Sequence, residues 1–237
     1  MEQIHRFWSR EGERLPDNAL STHRDINQSM LEFDELLRHL EKLGGKDRLL
    51  VVGCGNGYGA ELYSSFFKDT CAVDYAKQML RCRENVMFQA ASATNLPFKS
   101  NSFDVAVTKR VLINLPSWSN QKQALREIHR VLKPHGVCLM LEATMQGYER
   151  LNTLRRRLGL SEIKVAWHNL PLDTEKLQLA NQSILNVYYL VSRLIHPLLK
   201  REPRYDSRIN VLARMLQRIF NIPWRVSPLV LFTLVKK

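Results

Sequence analysis

Cysteine is scarce in this sequence, and its placement excludes two classes of protein. Four of the 237 residues are cysteines, and none of them shows the close pairing of a metal site. Cys54, Cys71 and Cys138 lie in or beside apolar runs that are typical of strands. We therefore expect reduced thiols rather than a disulfide scaffold or a zinc site.

Long hydrophobic runs are also missing. No stretch of about eighteen consecutive apolar residues occurs, so we expect no transmembrane helix. The first six residues, Met-Glu-Gln-Ile-His-Arg, are too polar for a secretory signal. The length suits one domain with a sizeable core and a cap, and we expect a cytoplasmic location.

Acidic residues become rare in the last third of the chain. Residues 1–149 hold 19 Lys and Arg against 18 Asp and Glu, whereas residues 150–237 hold 16 against 5. Such a basic surface favours an anionic partner, which could be a phosphate-bearing substrate, nucleic acid or anionic lipid. A solvated basic helix face explains the charge equally well, so charge alone names no partner.

What the sequence does contain is a glycine turn after a short apolar run. Residues 49–52 are wholly apolar, which is typical of a strand buried on both faces. Gly53, Gly55 and Gly57 then allow positive φ and a close approach of the backbone to a ligand. Residues 60–67 suit a helix whose N-terminal N–H groups point at that ligand. The order strand, glycine turn, helix predicts a nucleotide-type binding unit.

Further apolar runs and helical patterns alternate with this unit. Helical spacing predicts helices over residues 26–43, with a C-cap at Gly44–Gly45, and over residues 121–132. The alternation predicts a doubly wound α/β fold with a mostly parallel sheet, in which ligands bind at the carboxyl ends of the strands. The further strands are predicted at residues 70–74, 86–89, 103–108 and 137–141.

The glycine spacing restricts the choice of nucleotide. Tyr58 stands where a Gly-x-Gly-x-x-Gly dinucleotide fingerprint needs its third glycine, and no Gly-Lys-Ser/Thr is present for a triphosphate. Asp74 ends the second predicted strand, 17 residues after Gly57. Its carboxylate suits the ribose hydroxyls of a nucleoside, or alternatively caps a helix that begins at Ala76. Tyr75 would then pack on the adenine.

Four stretches together resemble the class I S-adenosylmethionine-dependent methyltransferases of the type 11 group. Residues 51–57 (Val-Val-Gly-Cys-Gly-Asn-Gly) are similar to the family's Asp-x-Gly-x-Gly-x-Gly loop. Residues 72–75 resemble its acidic second motif. The third stretch, Leu-Pro-Phe at 96–98 followed by Ser-Phe-Asp-Val at 102–105, and the fourth, Leu-Lys-Pro-His-Gly at 132–136, resemble its later motifs.

The resemblance implies a Rossmann-like, seven-stranded sheet whose last strand, residues 229–235, is antiparallel and at the edge. It implies that S-adenosyl-L-methionine is the cofactor, with Asp74 on the ribose hydroxyls. Val51 and Ser92 replace acidic residues that are usual in the family. No metal is required, and the sequence shows no ligand cluster for one. We assign to the cofactor Gly53, Cys54, Gly55, Gly57, Asp74, Tyr75, Ser92, Ala93 and Lys109.

The chain divides into three predicted parts. Residues 1–143 form the N-terminal helices and the cofactor-binding core, residues 144–222 a helical substrate cap inserted after strand five, and residues 223–237 the closing strands of the core. The cap would cover the cleft and select the acceptor. Within it a helix over residues 208–220 is predicted to carry Ile209, Leu212, Leu216 and Ile219 on one face, with its arginines largely off that face.

Candidate catalytic groups lie at the border of the core and within the cap. Glu142 follows the fifth strand and would face the acceptor, and His168 would act as a general base, unless it is an ordinary loop histidine. Trp167 would stack on a sugar or a base. Residues 155–157 (Arg-Arg-Arg) either clamp a phosphate or form a solvated helix face, and residues 188–189 (Tyr-Tyr) favour a core position.

The cap also carries a looser similarity to methyltransferases of bacterial surface-polysaccharide and sugar modification, at residues 142–147, 151–152, 155, 167–169, 192–193 and 205–207. It implies a small-molecule, glycan or nucleotide-sugar acceptor, in polysaccharide biosynthesis. An RNA methyltransferase that uses the basic face is an alternative. So is a non-catalytic binding protein that contacts a membrane peripherally through residues 184–199. The sequence leaves the oligomeric state open.

Overall fold

A computed structural model of the chain describes residues 2–14, 25–43, 46–199 and 204–237. In these ranges one sheet of seven strands forms the centre of the fold. The strands are β1 (Arg48–Val52), β2 (Asp69–Asp74), β3 (Val86–Ala90), β4 (Phe103–Lys109), β5 (Leu132–Ala143), β6 (Ala180–Ser183) and β7 (Leu229–Val235). Their order across the sheet is β3-β2-β1-β4-β5-β7-β6.

The first five strands, β1 through β5, pair with their neighbours in parallel. β7 pairs antiparallel with both β5 and β6. The central strands β1 and β4 are apolar and buried on both faces, as expected for a parallel sheet that is covered on both sides. The predicted fold class, a Rossmann-like sheet with an antiparallel last strand, is confirmed.

Helices flank the sheet and close its carboxyl edge. Three of them begin at side-chain caps that also mark their starts in the sequence: Asp25 before α2, Ser117 before α4 and Thr144 before α5. The helices are α1 (Glu2–Arg14), α2 (Ile26–Lys42), α3 (Tyr58–Ser64), α4 (Trp118–Val131), α5 (Met145–Arg157), α6 (Asn186–Tyr189), α7 (His196–Leu199) and α8 (Arg208–Ile219). A π-helical segment, Leu190–Ile195, joins α6 to α7.

The closing part of the sheet differs from the prediction. β7 is not an edge strand, because β6 pairs along its outer side. β6 has the polar sequence Ala-Asn-Gln-Ser, which carries no strand-like apolar alternation, and it lies within the stretch predicted as a helical cap. The cap is therefore interrupted by a strand of the core. The C-cap predicted at Gly44–Gly45 lies outside the described residues.

Two features are absent from the described ranges. No helix there is long and apolar enough to cross a membrane. No group of His, Cys, Asp and Glu side chains within them is arranged to hold a metal ion. All four cysteines are unbonded, and Cys71 and Cys138 are buried.

Candidate functional site

A cavity of about 410 Å³ lies at the carboxyl ends of β1, β2 and β4. This volume suits a small-molecule site. Its walls come from three parts of the chain: the core strands and their turns, helices α1 and α2, and the segment between α5 and α8. The cap side contributes Tyr148, His168, Asn169, Tyr189, Arg193 and Tyr205.

The glycine turn forms the floor of this cavity, and at two of its positions a side chain would clash with a neighbouring residue. Gly53 has φ +68°, and a Cβ there would lie 2.3 Å from a methyl carbon of Val111. Gly57 has φ +78°, and a Cβ there would lie 2.5 Å from the ring of Phe88. Gly53 and Gly55 line the cavity. Gly57 does not line it and is the residue before α3.

Asp74 ties the glycine turn to the end of β2. Its Oδ2 accepts a hydrogen bond from the N–H of Gly55 at 2.8 Å, and its Oδ1 accepts from the N–H of Ala76 at 2.9 Å. Burial raises the pKa of this carboxyl, and the backbone donors oppose that shift. The carboxylate also lines the cavity, where its oxygens retain lone pairs for a ligand. Asp74 does not cap a helix, because the 3₁₀ turn that follows, Lys77–Met79, has no side-chain cap, and the ribose-binding interpretation stays a prediction.

The neighbouring predicted cofactor residues also reach the cavity. Cys54, Tyr75, Ser92 and Ala93 line its wall, and the hydroxyl of Tyr75 is buried with no hydrogen-bond partner in the described part of the chain. An unpaired buried hydroxyl beside a carboxylate indicates a polar ligand. The carboxylate of Asp74 and the side chains of Tyr75 and Ser92 fit a cofactor that contains a nucleoside.

The two departures from the family pattern leave apolar or neutral walls. Val51 lines the cavity as an apolar side chain. Ser92 also lines it, but its hydroxyl is engaged locally, 2.8 Å from the hydroxyl of Thr94 and accepting from the N–H of that residue. Neither residue supplies the negative charge that its family counterpart supplies.

A buried charge cluster, which the sequence analysis missed, stands beside the glycine turn. Glu32 on α2 is 0% exposed, and its Oε2 accepts from the Nζ of Lys109 at 3.1 Å. The guanidinium of Arg110 lies 3.5 Å from the other carboxylate oxygen of Glu32. Burial would lower the pKa of Arg110, but Glu32 raises it above its ordinary value. Lys109, predicted as a cofactor residue, thus lines the cavity with its charge already paired.

The structure corrects the position of Glu142. Its side chain is 0% exposed and does not face the cavity. One carboxylate oxygen accepts from the hydroxyl of Thr108 and from the N–H groups of Val111 and Leu112, and the other accepts from the N–H of Ile113. Glu142 therefore holds the turn after β4, and it does not face an acceptor.

His168 lies on the cavity wall as predicted from the cap. Its ring stacks on Phe7 with the centroids 4.5 Å apart, and it meets the edge of Trp8 at 5.5 Å. Burial, followed by the charge of Arg110, lowers the pKa of His168. Its Nδ1 is buried without a hydrogen-bond partner in the described ranges. Trp167 packs on Phe7 instead of lining the cavity.

The far wall of the cavity is built around Arg193, which lies in the π-helical segment. Such segments are frequent at functional sites. The guanidinium pairs with Asp25 and donates to the side chain of Gln28 at 3.2 Å. It also lies over the rings of Tyr189 and Tyr205, at 5.6 and 5.1 Å. In the sequence, Arg193 belongs to the looser similarity at residues 192–193, which predicted no role for it in the cavity.

The paired tyrosines differ in exposure to the cavity. Tyr188 is fully buried, and its hydroxyl donates to the carboxylate of Asp25 at 2.8 Å, as a core residue would. Tyr189 is also buried but lines the cavity. Of the three arginines at 155–157, Arg155 is buried and donates to the carbonyl oxygens of Ser161 and Arg193, so it holds the fold together rather than clamping a phosphate.

Helix α1 lies across the cavity and contacts both sides of it. Trp8 lines the cavity and donates from Nε1 to the side-chain oxygen of Asn114 at 3.1 Å. The carbonyl of Gly12 accepts from the guanidinium of Arg81 at 2.8 Å. Gly12 is buried against the backbone of Gln78 and Met79. The contact between Gly12 and the backbone of Gln78 and Met79 therefore packs α1 against the predicted cofactor side of the cavity.

The comparisons with known proteins relate the chain to methyltransferases. The family described as a methyltransferase domain matches residues 50–140. YcgJ of Bacillus subtilis, an uncharacterised methyltransferase, is 34% identical over 104 residues, which are 40% of each chain. Its solved structure has a TM-score of 0.53 at 19% identity and covers 87% of this chain and 98% of that one. At that identity the structure supports the fold alone.

Two further relatives match at comparable identity. A demethylmenaquinone methyltransferase of Renibacterium salmoninarum is 39% identical over 99 residues, 40% of each chain. The mitochondrial arginine-hydroxylase NDUFAF5 of Danio rerio is 31% identical over 177 residues, 67% of this chain and 53% of that one. The chain thus spans between two fifths and about half of the length of these relatives.

Replacing Gly12 by alanine is expected to lift α1 from its seat. A Cβ at Gly12 would lie 2.8 Å from the carbonyl carbon of Gln78, which is backbone and cannot move aside cheaply. Since alanine favours a helix more than glycine does, any loss must come from this contact. We expect about tenfold weaker binding of S-adenosylmethionine, measured by calorimetry. Glu13→Ala, at the exposed next position, should leave affinity unchanged. Equal affinity in both variants would contradict a contribution of the packing of α1 to cofactor binding.

Replacing Glu142 by glutamine is expected to change how stability depends on pH. Burial raises the pKa of Glu142 from 4.5 to about 7. Between these values the folded carboxyl keeps a proton that the unfolded chain releases, so this group's contribution to stability falls as pH rises. The amide does not titrate.

The glutamine variant should therefore gain stability relative to the wild type by up to about 3 kcal/mol between pH about 4 and about 8. Urea unfolding at both pH values measures this difference. Glu175→Gln, at an exposed position, serves as the control. A constant difference between Glu142→Gln and the wild type at the two pH values would contradict the buried titration.

Proposed function

We propose that this protein, of which residues 50–140 match a methyltransferase-domain family, is an S-adenosylmethionine-dependent enzyme that methylates a small-molecule acceptor held beneath the cap. The observation that carries the proposal is a single cavity in which the glycine turn, Asp74 and the cap side chains meet. Donor and acceptor sites in one cavity place the reacting groups in contact, which is the main requirement of this chemistry.

The cofactor half would be held by the turn at Gly53–Gly55 together with Asp74, Tyr75 and Ser92. S-adenosylmethionine supplies an electrophilic methyl group when it is bound. The carboxylate of Asp74 would accept from hydroxyl donors, and the N–H groups of the turn are already committed to Val73 and Asp74, so the turn keeps its shape without a ligand. Preorganisation of this kind reduces the entropy lost on binding.

The acceptor half combines aromatic rings with arginine. Tyr148, Tyr189 and Tyr205 line it, and Arg110 and Arg193 stand among them. The rings support a ring-bearing acceptor, and the two arginines, although paired with Glu32 and Asp25, keep further N–H donors for its polar groups. The sequence favours a glycan or nucleotide-sugar that carries phosphate, with a role in polysaccharide biosynthesis. The name of the Renibacterium relative offers demethylmenaquinone as a comparison.

His168 is the proposed general base. A base must be neutral and have an open acceptor atom, and both the lowered pKa and the buried, unpartnered Nδ1 support this. The rings of Phe7 and Trp8 hold the imidazole in place and keep water from it. The nucleophilic hydroxyl of an acceptor would give its proton to this nitrogen as the new bond forms.

A labelled-methyl transfer assay against extract of the source organism tests the proposal. The extract is divided into small molecules, RNA, and protein. Label in the small-molecule fraction supports the proposal, and label in RNA supports a nucleic-acid methyltransferase with the basic face as its docking site. Binding of S-adenosylmethionine without transfer to any fraction would favour a non-catalytic protein.

Replacing Asp74 by alanine should weaken cofactor binding. Hydrogen bonds to a charged acceptor contribute about 1.5–3 kcal/mol each, so loss of the carboxylate should raise the dissociation constant by about 100-fold. Calorimetric titration with S-adenosylmethionine measures the change. Asp69→Ala, which removes an exposed carboxylate from the other end of β2, is the matched control. Unchanged affinity in the Asp74 variant would eliminate the ribose assignment.

Replacing His168 by alanine should lower turnover by a factor of about 100 or more without changing the affinity for the cofactor. In the wild type, activity should fall only as pH drops below about 6.5, because the pKa of His168 is lowered and the base is lost on protonation. The variant should lack this acid limb. His129→Ala, at an exposed position of α4, is the control. Full turnover by the His168 variant would exclude it as the base.

A further inference from the structure

Helix α8 presents its apolar side to solvent. Its outward stripe contains Val211, Leu212, Met215 and Ile219, which are all exposed, whereas Asn210 and Ala213 on the opposite side are buried. Leu212 and Ile219, which the sequence places on one apolar face of this helix, are thus both exposed. A helix normally turns its apolar stripe inwards, and exposed patches of this kind mark sites of interaction.

The apolar surface continues past the end of the helix. Phe220 is the residue after α8 and is exposed, and Trp224 is 67% exposed. We call these residues, Leu212, Met215, Ile219, Phe220 and Trp224, the α8 surface. Aromatic side chains at such a site are typical of segments that lie at a membrane boundary.

The chain segment that carries the α8 surface is strongly basic. Residues 190–237 contain ten Lys and Arg against two Asp and Glu. Arg208 at the start of α8 and Arg225 after Trp224 are both exposed. Arg218 is held by Asp34 on α2, so the helix is fixed to the core while its apolar stripe stays outward.

We propose that the α8 surface docks this protein on an anionic lipid bilayer. An apolar stripe with bulky side chains, edged by arginine, matches the acyl boundary and the negatively charged headgroups at once. The scarcity of acidic residues removes the repulsion that anionic headgroups would exert. Ser207 caps α8, and Tyr205, two residues earlier, lines the cavity. Docking would therefore bring the cavity close to the membrane.

Vesicle co-sedimentation tests the proposal on the full chain. One vesicle type is phosphatidylcholine alone, and the other contains about 30% phosphatidylglycerol. We expect binding to the anionic vesicles that weakens between about 50 and about 300 mM NaCl, and little binding to the neutral ones. A blue shift of tryptophan emission that is lost in Trp224→Phe should accompany it. Equal binding to both vesicle types, or none, would overturn the proposal.

Exposed side chains allow variants that should not disturb folding. Met215→Ser together with Ile219→Ser should reduce anionic-vesicle binding by about tenfold, and Arg208→Gln by about fivefold. Met87→Ser is the matched control, because Met87 on β3 is 59% exposed and Met215 is 55% exposed. Equal loss in the control would contradict a specific surface.

The α8 surface could instead bind a second copy of the chain. Light scattering after size-exclusion chromatography distinguishes that dimer interface from a membrane-docking surface. A monomer is expected without vesicles. A dimer that dissociates on the substitution Met215→Ser would overturn the membrane proposal, because the same face would then be a subunit interface. Cofactor affinity is independent of these readouts, so failure here and failure of the proposed methyl transfer are distinguishable.

Discussion

The turn after β4 is held by two buried carboxylates, and the cavity depends on it. Glu142, on the neighbouring strand β5, accepts hydrogen bonds from Thr108 and from three successive backbone N–H groups. Glu32 reaches the same turn from α2 and pairs with Lys109 and Arg110. A carboxylate buried without such donors would be costly, so each one fixes the backbone that satisfies it.

The cofactor side and the cap side both rest on this turn. Val111, which Glu142 holds, fills the space beside Gly53 and so excludes any side chain from the glycine turn. Arg110, which Glu32 holds in a left-handed conformation with φ +59°, lines the cavity and lowers the pKa of His168. Strained backbone at such a position is typical of functional sites. The turn after β4 thus shapes the floor of the cofactor half of the cavity and places a positive charge near His168 in the other half.

The sequence was sufficient for the parallel core and for the cofactor half of the cavity. The apolar runs within β1 and β4, the glycines, and Asp74 at a strand end all act locally, and their spacing is enough to predict them. The direction of Glu142 could not be predicted in this way. A carboxylate at a strand end looks the same in sequence whether it faces a ligand or accepts from the next turn.

Long-range contacts account for the rest. β6 is polar and exists because β7 offers it a partner, and no local pattern marks it. Glu32 and Arg193 join α2 and the π-helical segment to residues distant in sequence, so their roles appear only in three dimensions. The outward stripe of α8 is equally invisible, because amphipathic spacing predicts a face but does not say what covers it.

Hydrogen–deuterium exchange with and without S-adenosylmethionine tests most directly whether the glycine turn and α1 enclose one cofactor site. Slower exchange is expected on binding in residues 53–59 and in α1, because the ligand would contact the turn while the helix closes over it. Exchange in β6, which does not line the cavity, should stay unchanged. Absence of binding, or unaltered exchange in both the turn and α1, would contradict the site described above.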